Sequence, residues 1–513
     1  MMRSNAGPRS LTFAFLFGSV VAGGEAGAVR QGVRPNLVVI MADDLDVGSL
    51  KTMIDAGLMP HAQRHLLDRG CAFSNSFVSN SVCCPSRATF LTGQFSHNNG
   101  VQHNGPGPNG GVMSLDHSST LATWLQAAGY RTGHIGKYLN LYGVSTLPTW
   151  VPPGWDDWQA LIDPSTYRVY NYRLNDNGTV VTYGSDPADY QTDVLAGRAT
   201  RFIETWARQH RSSPFFLVVT PLAPHVEALP GFAKAIANDI WSLTIRPAPR
   251  HQGSTDFIPL PQPPSFNEAD VSDKPGWLQE RPLLTPENVT ALTRQYRDRL
   301  ASLRAVDDLV GSVTAALEAA GALEQTTVLF TSDNGYFHGE HRLSQKMAAY
   351  EEAIRVPLVV RGQGVSGPQK VESLVLNVDL APTLAELAGA TPTRVVDGRS
   401  IVPLLRGRVP PGGWRKRLLL EHWKPIVPRE DVEIPPYGGL RAGPGDDAAP
   451  NSLFVRYRAG QWGTEEFYPL AADPYQLRNR ADDPAESATV TVQRHRLRLL
   501  QVAAGDAARA LEE

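Results

Sequence analysis

Residues 79 to 93 read SNSVCCPSRATFLTG and set two of the chain's three cysteines, Cys83 and Cys84, beside a Pro-Ser-Arg triplet. Proline in a first turn and glycine just past the end predict a short helix from Pro85 to Gly93. Cys83 then lies immediately ahead of that helix, where free backbone N–H groups and the helix dipole favour an anion or a developing negative charge. Arg87 adds a cation at the same end. Taken alone, this is a setting for a thiolate of lowered pKa. Hard oxygen donors gather in two other places: Asp43, Asp44 and Asp46 after the apolar run LVVIM, and Ser332-Asp333-Asn334-Gly335 after TTVLFT. Asp, Asn and Gly also dominate ordinary turns, yet oxygen donors of this kind at strand ends could together hold one Ca²⁺.

The elements that must position these groups are legible as apolar runs. Leu37 to Met41, Pro214 to Thr220, Thr326 to Gly335 and Val356 to Gly362 read as buried strands, each running into a polar loop or glycine. LATWLQAAG and RLASLRAVDDLVGSVTAALEAAG read as amphipathic helices, the second ending at Gly321. Strands alternating with helices predict an α/β fold with a large, mostly parallel sheet sandwiched by helices. Ligands bind at the carboxyl ends of such strands. The Pro-rich stretch 223 to 285 predicts a functional surface insertion over the sheet edge, and a second irregular segment spans about 424 to 450. From Ser452 the sequence alternates like an antiparallel hairpin, and a final helix is expected over about 485 to 510. The expected division is therefore a catalytic domain over 35 to 409 and a small α+β subdomain over 410 to 513.

With 513 residues, 48 basic against 51 acidic and no long run of one sign, the chain has no dedicated basic face and is not expected to bind nucleic acid. Arg3 and Arg9 precede the apolar run LTFAFLFGSVVAGG and the small-residue pattern Ala26-Gly27-Ala28, which predicts a signal peptide over residues 1 to 28. The run is short for a bilayer span, so no stable membrane anchor is expected after cleavage. Export implies an oxidising compartment, where cysteines normally pair. A bond between the neighbours Cys83 and Cys84 would be strained and Cys71 can take at most one of them, so a thiol is left over. Asn177-Gly178-Thr179 and Asn288-Val289-Thr290 match the acceptor pattern for N-linked glycans.

The run Cys83-x-Pro85-Ser86-Arg87-x-x-x-Leu91-Thr92-Gly93 resembles the signature of the type I sulfatases, formylglycine-dependent enzymes of the alkaline phosphatase superfamily. Flanking stretches such as GKYLNLYG, GWDDW, YNYRLNDNG, TDVLA, TPLAPH and VDDLVG are most similar to the N-acetylglucosamine-6-sulfatase branch. The resemblance implies an alkaline-phosphatase-like sulfatase fold, with Cys83 oxidised to Cα-formylglycine by a formylglycine-generating or anaerobic maturation enzyme. One hydroxyl of the hydrated aldehyde would attack sulfur and displace the alcohol; the second would expel sulfate by re-forming the carbonyl, an exit that serine or cysteine lacks. The same resemblance assigns Asp43, Asp44, residue 83, Asp333 and Asn334 to a Ca²⁺, for which Mg²⁺ could substitute. It gives Arg87 the task of orienting the diol, with Asp333 helping to deprotonate it, and directs Lys137, His225 and Lys346 to the sulfate or the leaving oxygen. The implied substrate is a sulfated carbohydrate, and the implied location is secreted or extracytoplasmic: extracellular, periplasmic, or lysosomal in a eukaryote.

One departure bears on the subfamily. Many arylsulfatases place a histidine two positions after the lysine matched by Lys137, where this chain has Leu139, followed by Asn140. His134 is expected to pack within its loop rather than act on substrate. His338 and His341 either shape the substrate pocket or sit on the loop surface, and Cys71 is expected to be a buried structural thiol. Two alternatives share these motifs: a phosphonate monoester or phosphodiester hydrolase, and an inactive sugar-binding homologue in which Cys83 is unmodified.

Overall fold

The run Leu37 to Met41 has no polar face, so it needs cover on both sides. It receives that cover at the centre of a ten-stranded sheet. The computed structural model describes residues 34–229, 240–410, 413–423, 434–458 and 464–513. The expected signal peptide lies outside the described residues, as do parts of the two irregular segments. The sheet strands in chain order are β1 (Asn36–Ala42), β2 (Cys71–Phe73), β3 (Arg131–Gly136), β4 (Asp157–Leu161), β5 (Arg173–Asp176), β6 (Thr179–Thr182), β7 (Phe215–Thr220), β8 (Thr326–Ser332), β9 (Leu358–Arg361) and β10 (Gln369–Val371). Their spatial order is β10-β2-β9-β8-β1-β7-β3-β4-β5-β6. The run from β8 through β4 is parallel, while β9 and the outer hairpin β5–β6 are antiparallel to their neighbours.

Alternation along β1 divides the core. Val38 and Ile40 face a layer that includes Leu195 and Ile203 of helix α4 (Gln191–Gln209) and Leu300 and Val310 of α5 (Pro286–Ala319). Leu37, Val39 and Met41 face Ala88 and Leu91 of α2 (Cys83–Thr92), Leu125 of α3 (Leu121–Ala127) and Leu384 of α6 (Leu380–Ala388). A shorter helix, α1 (Val47–Asp55), follows β1 and is capped by Asp46.

Two helix starts differ from the sequence expectation, and backbone capping explains the larger shift. Helix α5 begins at Pro286 rather than near Arg299, because Thr285 and Asn288 exchange the reciprocal bonds of a capping box with proline in the first turn. Helix α2 begins at Cys83 itself and ends at Thr92, capped by Gly93, whose φ of 66° is left-handed. The described part of the Pro-rich stretch is not merely superficial: Ile245, Ala248, Ile258 and Leu260 enter the α4/α5 core, and Trp277 and Leu278 enter a third core at the carboxyl-terminal side.

That third core belongs to an antiparallel sheet of β11 (Arg417–His422), β12 (Tyr437–Ala442), β13 (Ser452–Tyr457) and β14 (Glu465–Pro469), in sequential order. The expected single terminal helix is two, α7 (Ser487–Leu500) and α8 (Gly505–Glu512). The break falls where Gly505, at φ 58°, donates its N–H to buried Asp397 at 2.8 Å. Residues 34 to 513 form one compact unit. Buried Arg415 ties it together, its Nε donating to Glu512 at 2.8 Å and its guanidinium forking onto Asp379, just ahead of α6.

His97 makes a second tie, with Nδ1 2.7 Å from Glu421 and Nε2 3.0 Å from the Ala503 carbonyl. Both partners are acceptors, so both ring nitrogens must carry protons. Burial opposes that charge, but the hydrogen bond and charge of Glu421 outweigh it and raise the pKa above the ordinary histidine value. A group with a raised folded pKa stabilises fully below its unfolded value, about 6.5, and loses that contribution as pH rises through the folded value. The unfolding free-energy gap between the wild type and His97→Gln is therefore expected to be largest below about pH 6.5 and to shrink above it. A pH-independent gap in denaturant titrations would show that folding does not raise the pKa of His97, and a gap that grows above about pH 6.5 would show that the buried imidazole is neutral.

Candidate active site

Strands β8, β1, β7 and β3 are consecutive in the sheet and parallel, so their carboxyl ends open on one edge. Asp333 and Asn334 follow β8, Asp43 and Asp44 follow β1, His225 comes shortly after β7, and Lys137 follows β3. The buried amino end of α2 brings Cys83 to the same place, and Lys346 arrives on the loop beyond the short hairpin Phe337–His338 with Ser344–Gln345. The residues singled out by sequence thus meet in one buried cluster.

Opposite charges are paired throughout. Lys137 Nζ donates to Asp43 Oδ2 at 2.6 Å, Arg87 Nε to Asp333 Oδ2 at 2.8 Å, and Lys346 Nζ to Asp44 Oδ1. Lys346 also reaches the Cys83 sulfur at 2.8 Å, and the Cys83 thiol lies 3.6 Å from Asp43 Oδ1. Burial alone would push Asp43 up, but Lys137, then His225 and Arg87, bring it down to about 2. Asp44 is lowered in the same way, Lys346 outweighing burial together with His225. For Cys83 burial wins: despite Lys137 and Lys346 the thiol is pushed up to about 11. The low-pKa thiolate is not supported, because burial, reinforced by the carboxylates of Asp43 and Asp333, outweighs the two lysines.

His225 Nδ1 lies 2.6 Å from the Val226 carbonyl and must donate to it, which leaves Nε2 facing Asp44 Oδ2 at 3.6 Å. One ligand-type atom from each of Asp43, Asp44, Cys83 and His225 lies within 4.8 Å of the others. Asn334 stands beside them, its Nδ2 donating to Asp44 Oδ1 at 2.7 Å, while its buried Oδ1 has no hydrogen-bond partner among the described residues. An orphaned buried acceptor next to ionised carboxylates fits a hard divalent cation, which favours oxygen ligands. Asp333 sits a little apart, one oxygen on Arg87 and the other accepting from the Asp44 backbone N–H at 3.1 Å.

The sulfatase family model matches residues 35 to 390 of this sequence, a span that contains every residue of the cluster. The chain belongs to the sulfatase family. A second family model, for the carboxyl-terminal region of N-sulphoglucosamine sulphohydrolase, matches residues 339 to 503. The N-acetylglucosamine-6-sulfatase of Capra hircus is 32% identical over 95% of this chain and 87% of its own length. An arylsulfatase of Volvox carteri is 38% identical over 71% of this chain, which spans 57% of that relative. Among solved structures, one in complex with its substrate D-glucosamine-2-N,6-O-disulfate superposes with a TM-score of 0.72 at 23% identity, covering 91% of this chain and 97% of its own. A phosphonate monoester hydrolase from Silicibacter pomeroyi has the fold too, with a TM-score of 0.69 at 23% identity over 90% of this chain and 95% of its own. The large mixed sheet and small carboxyl-terminal sheet are the alkaline-phosphatase-like fold of sulfatases.

Several residues differ from their sequence reading. His338 and His341 are buried rather than on a loop surface: His338 Nε2 is 3.2 Å from Asp46, and His341 Nδ1 is 2.7 Å from Glu268 with its ring stacked on Tyr350. His134 lies on β3, not in a loop, packed among Tyr138, Trp155 and Trp158, and burial first, then Arg87, lowers its pKa to about 3. Cys71, by contrast, is buried as expected, on β2, and none of the three cysteines is paired. Arg299 is a further residue of the site, bonding the Asp44 carbonyl at 2.6 Å and the Pro224 carbonyl at 2.7 Å. A cation on the apolar stripe formed with Tyr296 and Leu303 was the available signal. Asp44 itself has φ 64°, a conformation uncommon outside glycine.

The flanks of the lysines are equally constrained. The Lys346 loop has left-handed residues on both sides, Gln345 at 68° and Met347 at 88°, and the Tyr437 hydroxyl of β12 donates to the Met347 carbonyl at 2.7 Å. Tyr350, Tyr457 and Tyr468 all donate to buried Glu466 at 2.7 Å, extending the clasp. Lys137 is fixed through its backbone, its N–H bonding the Thr220 carbonyl at 2.9 Å and its carbonyl accepting from Arg87 at 2.8 Å. Gly136 makes that approach possible: φ is 116°, and a Cβ would lie 2.3 Å from the Thr220 carbonyl oxygen. Gly136→Ala is expected to displace Lys137 and lower sulfate-ester turnover about 100-fold with the fold retained by circular dichroism. Turnover equal to wild type would show that the position of Lys137 is not critical.

Proposed function

We propose that the protein is a sulfuric ester hydrolase that removes sulfate from a sulfated sugar, N-acetylglucosamine 6-sulfate in the first instance. It would use Cys83 as Cα-formylglycine and one bound Ca²⁺. The observation that carries this reading is the setting of Cys83: a buried, neutral side chain at the first turn of α2, enclosed by Asp43, Asp44 and Asp333 and by Arg87, Lys137 and Lys346. A thiol pushed up to about 11 is a poor nucleophile at neutral pH. The hydrated aldehyde would supply an oxygen nucleophile and a second hydroxyl through which sulfate can leave. Oxidation of the side chain falls to a maturation enzyme acting as a separate partner.

Ca²⁺ would be held by Asp43, Asp44, Asp333, Asn334 and residue 83, and would neutralise charge on the sulfate. Lys137 and Lys346 supply fixed ammonium groups for the remaining sulfate oxygens. Arg87, locked by Asp333, orients residue 83. His225 has its Nδ1 proton committed to the Val226 carbonyl, so Nε2 is the atom that can exchange a proton with the departing alcohol. Similarity to an N-acetylglucosamine-6-sulfatase along almost the whole chain supports that sugar as the substrate. The proposed division is a catalytic domain over 35–409 with a carboxyl-terminal subdomain over 410–513. Export is proposed from the sequence; among the described residues no helix is long and apolar enough to cross a membrane.

Two measurements test the reading. Cys83→Ala is expected to abolish sulfate release and Cys84→Ala to retain most of it, with peptide mass spectrometry of the native protein finding an aldehyde at residue 83. Equal loss in both variants, or turnover of aryl phosphonates and phosphate diesters that exceeds sulfate-ester turnover, would overturn it. Independently of activity, adding Ca²⁺ after chelation should raise the unfolding free energy by about 2.7 kcal/mol at a hundredfold excess over Kd. Asp44→Asn should lose most of that increment, and a wild type without any increment would exclude the ion.

A further inference from the structure

Beside Lys137 lie two side chains that the assigned roles do not use. Asn140, 8% exposed, has its backbone carbonyl bonded by the Val112 N–H at 2.9 Å, and its Nδ2 donates to the Tyr167 hydroxyl at 2.7 Å. Its buried Oδ1 has no hydrogen-bond partner among the described residues. Turning the amide over exchanges the end that meets the hydroxyl but leaves the other end open, so one polar atom stays unsatisfied in either orientation. Native interiors rarely tolerate such an atom without a ligand or water to meet it. The Tyr167 ring carries the Lys137 ammonium on its face, 4.8 Å from the centroid, and lies 5.2 Å from the His225 imidazole. Its backbone carbonyl accepts from the Ala228 N–H at 2.8 Å, which fixes the ring against the segment that bears His225.

Depth decides what this pair can meet. Lys137, Lys346 and Asp43 are buried, and in the function proposed above they form the floor that would neutralise an anionic sulfate. Tyr167 is only half-buried and touches both Lys137 and His225, so it stands on the outward side of that floor. A sulfate ester bound with its anion inward extends its alcohol half outward. We propose that Asn140 and Tyr167 form a receptor for a polar substituent on that alcohol half, a hydroxyl or amide group able to pair with the open end of the Asn140 amide and with the phenol. This rests on the sulfatase reading above and adds to it a determinant of which alcohol is accepted. A site with polar atoms waiting for a substrate hydroxyl or amide discriminates against esters that lack one, because those atoms then stay unpaired.

The test is the ratio of kcat/KM on N-acetylglucosamine 6-sulfate to kcat/KM on p-nitrophenyl sulfate, which offers the pair no substituent. Tyr167→Phe removes the hydroxyl while keeping an aromatic face under Lys137, and Asn140→Ala removes the amide. Each is expected to lower the ratio about tenfold or more. Ratios within about twofold of wild type in both variants would overturn the proposal, since an effect through Lys137 or His225 would weaken both substrates alike. Should Asn140→Ala fail to fold, Tyr167→Phe, a single-atom deletion, decides alone. A wild type that cleaves neither ester refutes the sulfatase reading itself, and one that cleaves the aryl ester but no sulfated sugar overturns this inference while leaving the reaction class standing.

Discussion

Three carboxylates, Asp43, Asp44 and Asp333, are almost fully removed from water within one cluster, and the rest of the site follows from the need to neutralise them. An unpaired buried charge costs several kcal/mol, so each must be met by a cation held in place. Lys137, Lys346 and Arg87 do this singly, and Arg299 adds a fourth positive group through the Asp44 backbone. Because these partners come from distant parts of the chain, the electrostatic requirement is met only when the parallel strands and α2 are in register. The same groups that stabilise the carboxylates are those to which the proposed function assigns the sulfate and the orientation of residue 83.

The fold also explains the chemical character of residue 83. Placing it at the amino end of a helix buried along its whole length supplies a favourable dipole but also excludes solvent. Desolvation prevails and pushes the thiol up to about 11. The local environment suits a neutral side chain better than a cysteine thiolate, as the proposed conversion of residue 83 requires.

Much of this was legible from sequence. The uniform apolarity of Leu37–Met41 and of the run before Thr220 reported two-sided burial, hence a parallel sheet with donors at its strand ends. The residues of the cluster were reached through a combination of strand-end position and motif. Capping hid the start of α5, since Thr285 and Asn288 lie in a polar stretch that reads as loop until the reciprocal bonds are seen. Sequence left His338 and His341 open between the pocket and the loop surface because the carboxylates that bury them, Asp46 and Glu268, lie far away in sequence. Tyr167 carried no periodic signal at all; only tertiary contact sets it between Lys137 and His225.

The clasp on the Lys346 loop concerns time as well as space. Asp43, Asp44, Cys83, Lys137, His225 and Asp333 all precede Lys346 in the chain, whereas Tyr437 and Glu466, which hold the Lys346 loop, come after it. A ribosome releases the amino-terminal groups first. A nascent chain would therefore carry the acidic cluster before it carries the strands that fix the last ammonium group, and the emergence of β12 and β14 would be the event that completes the site.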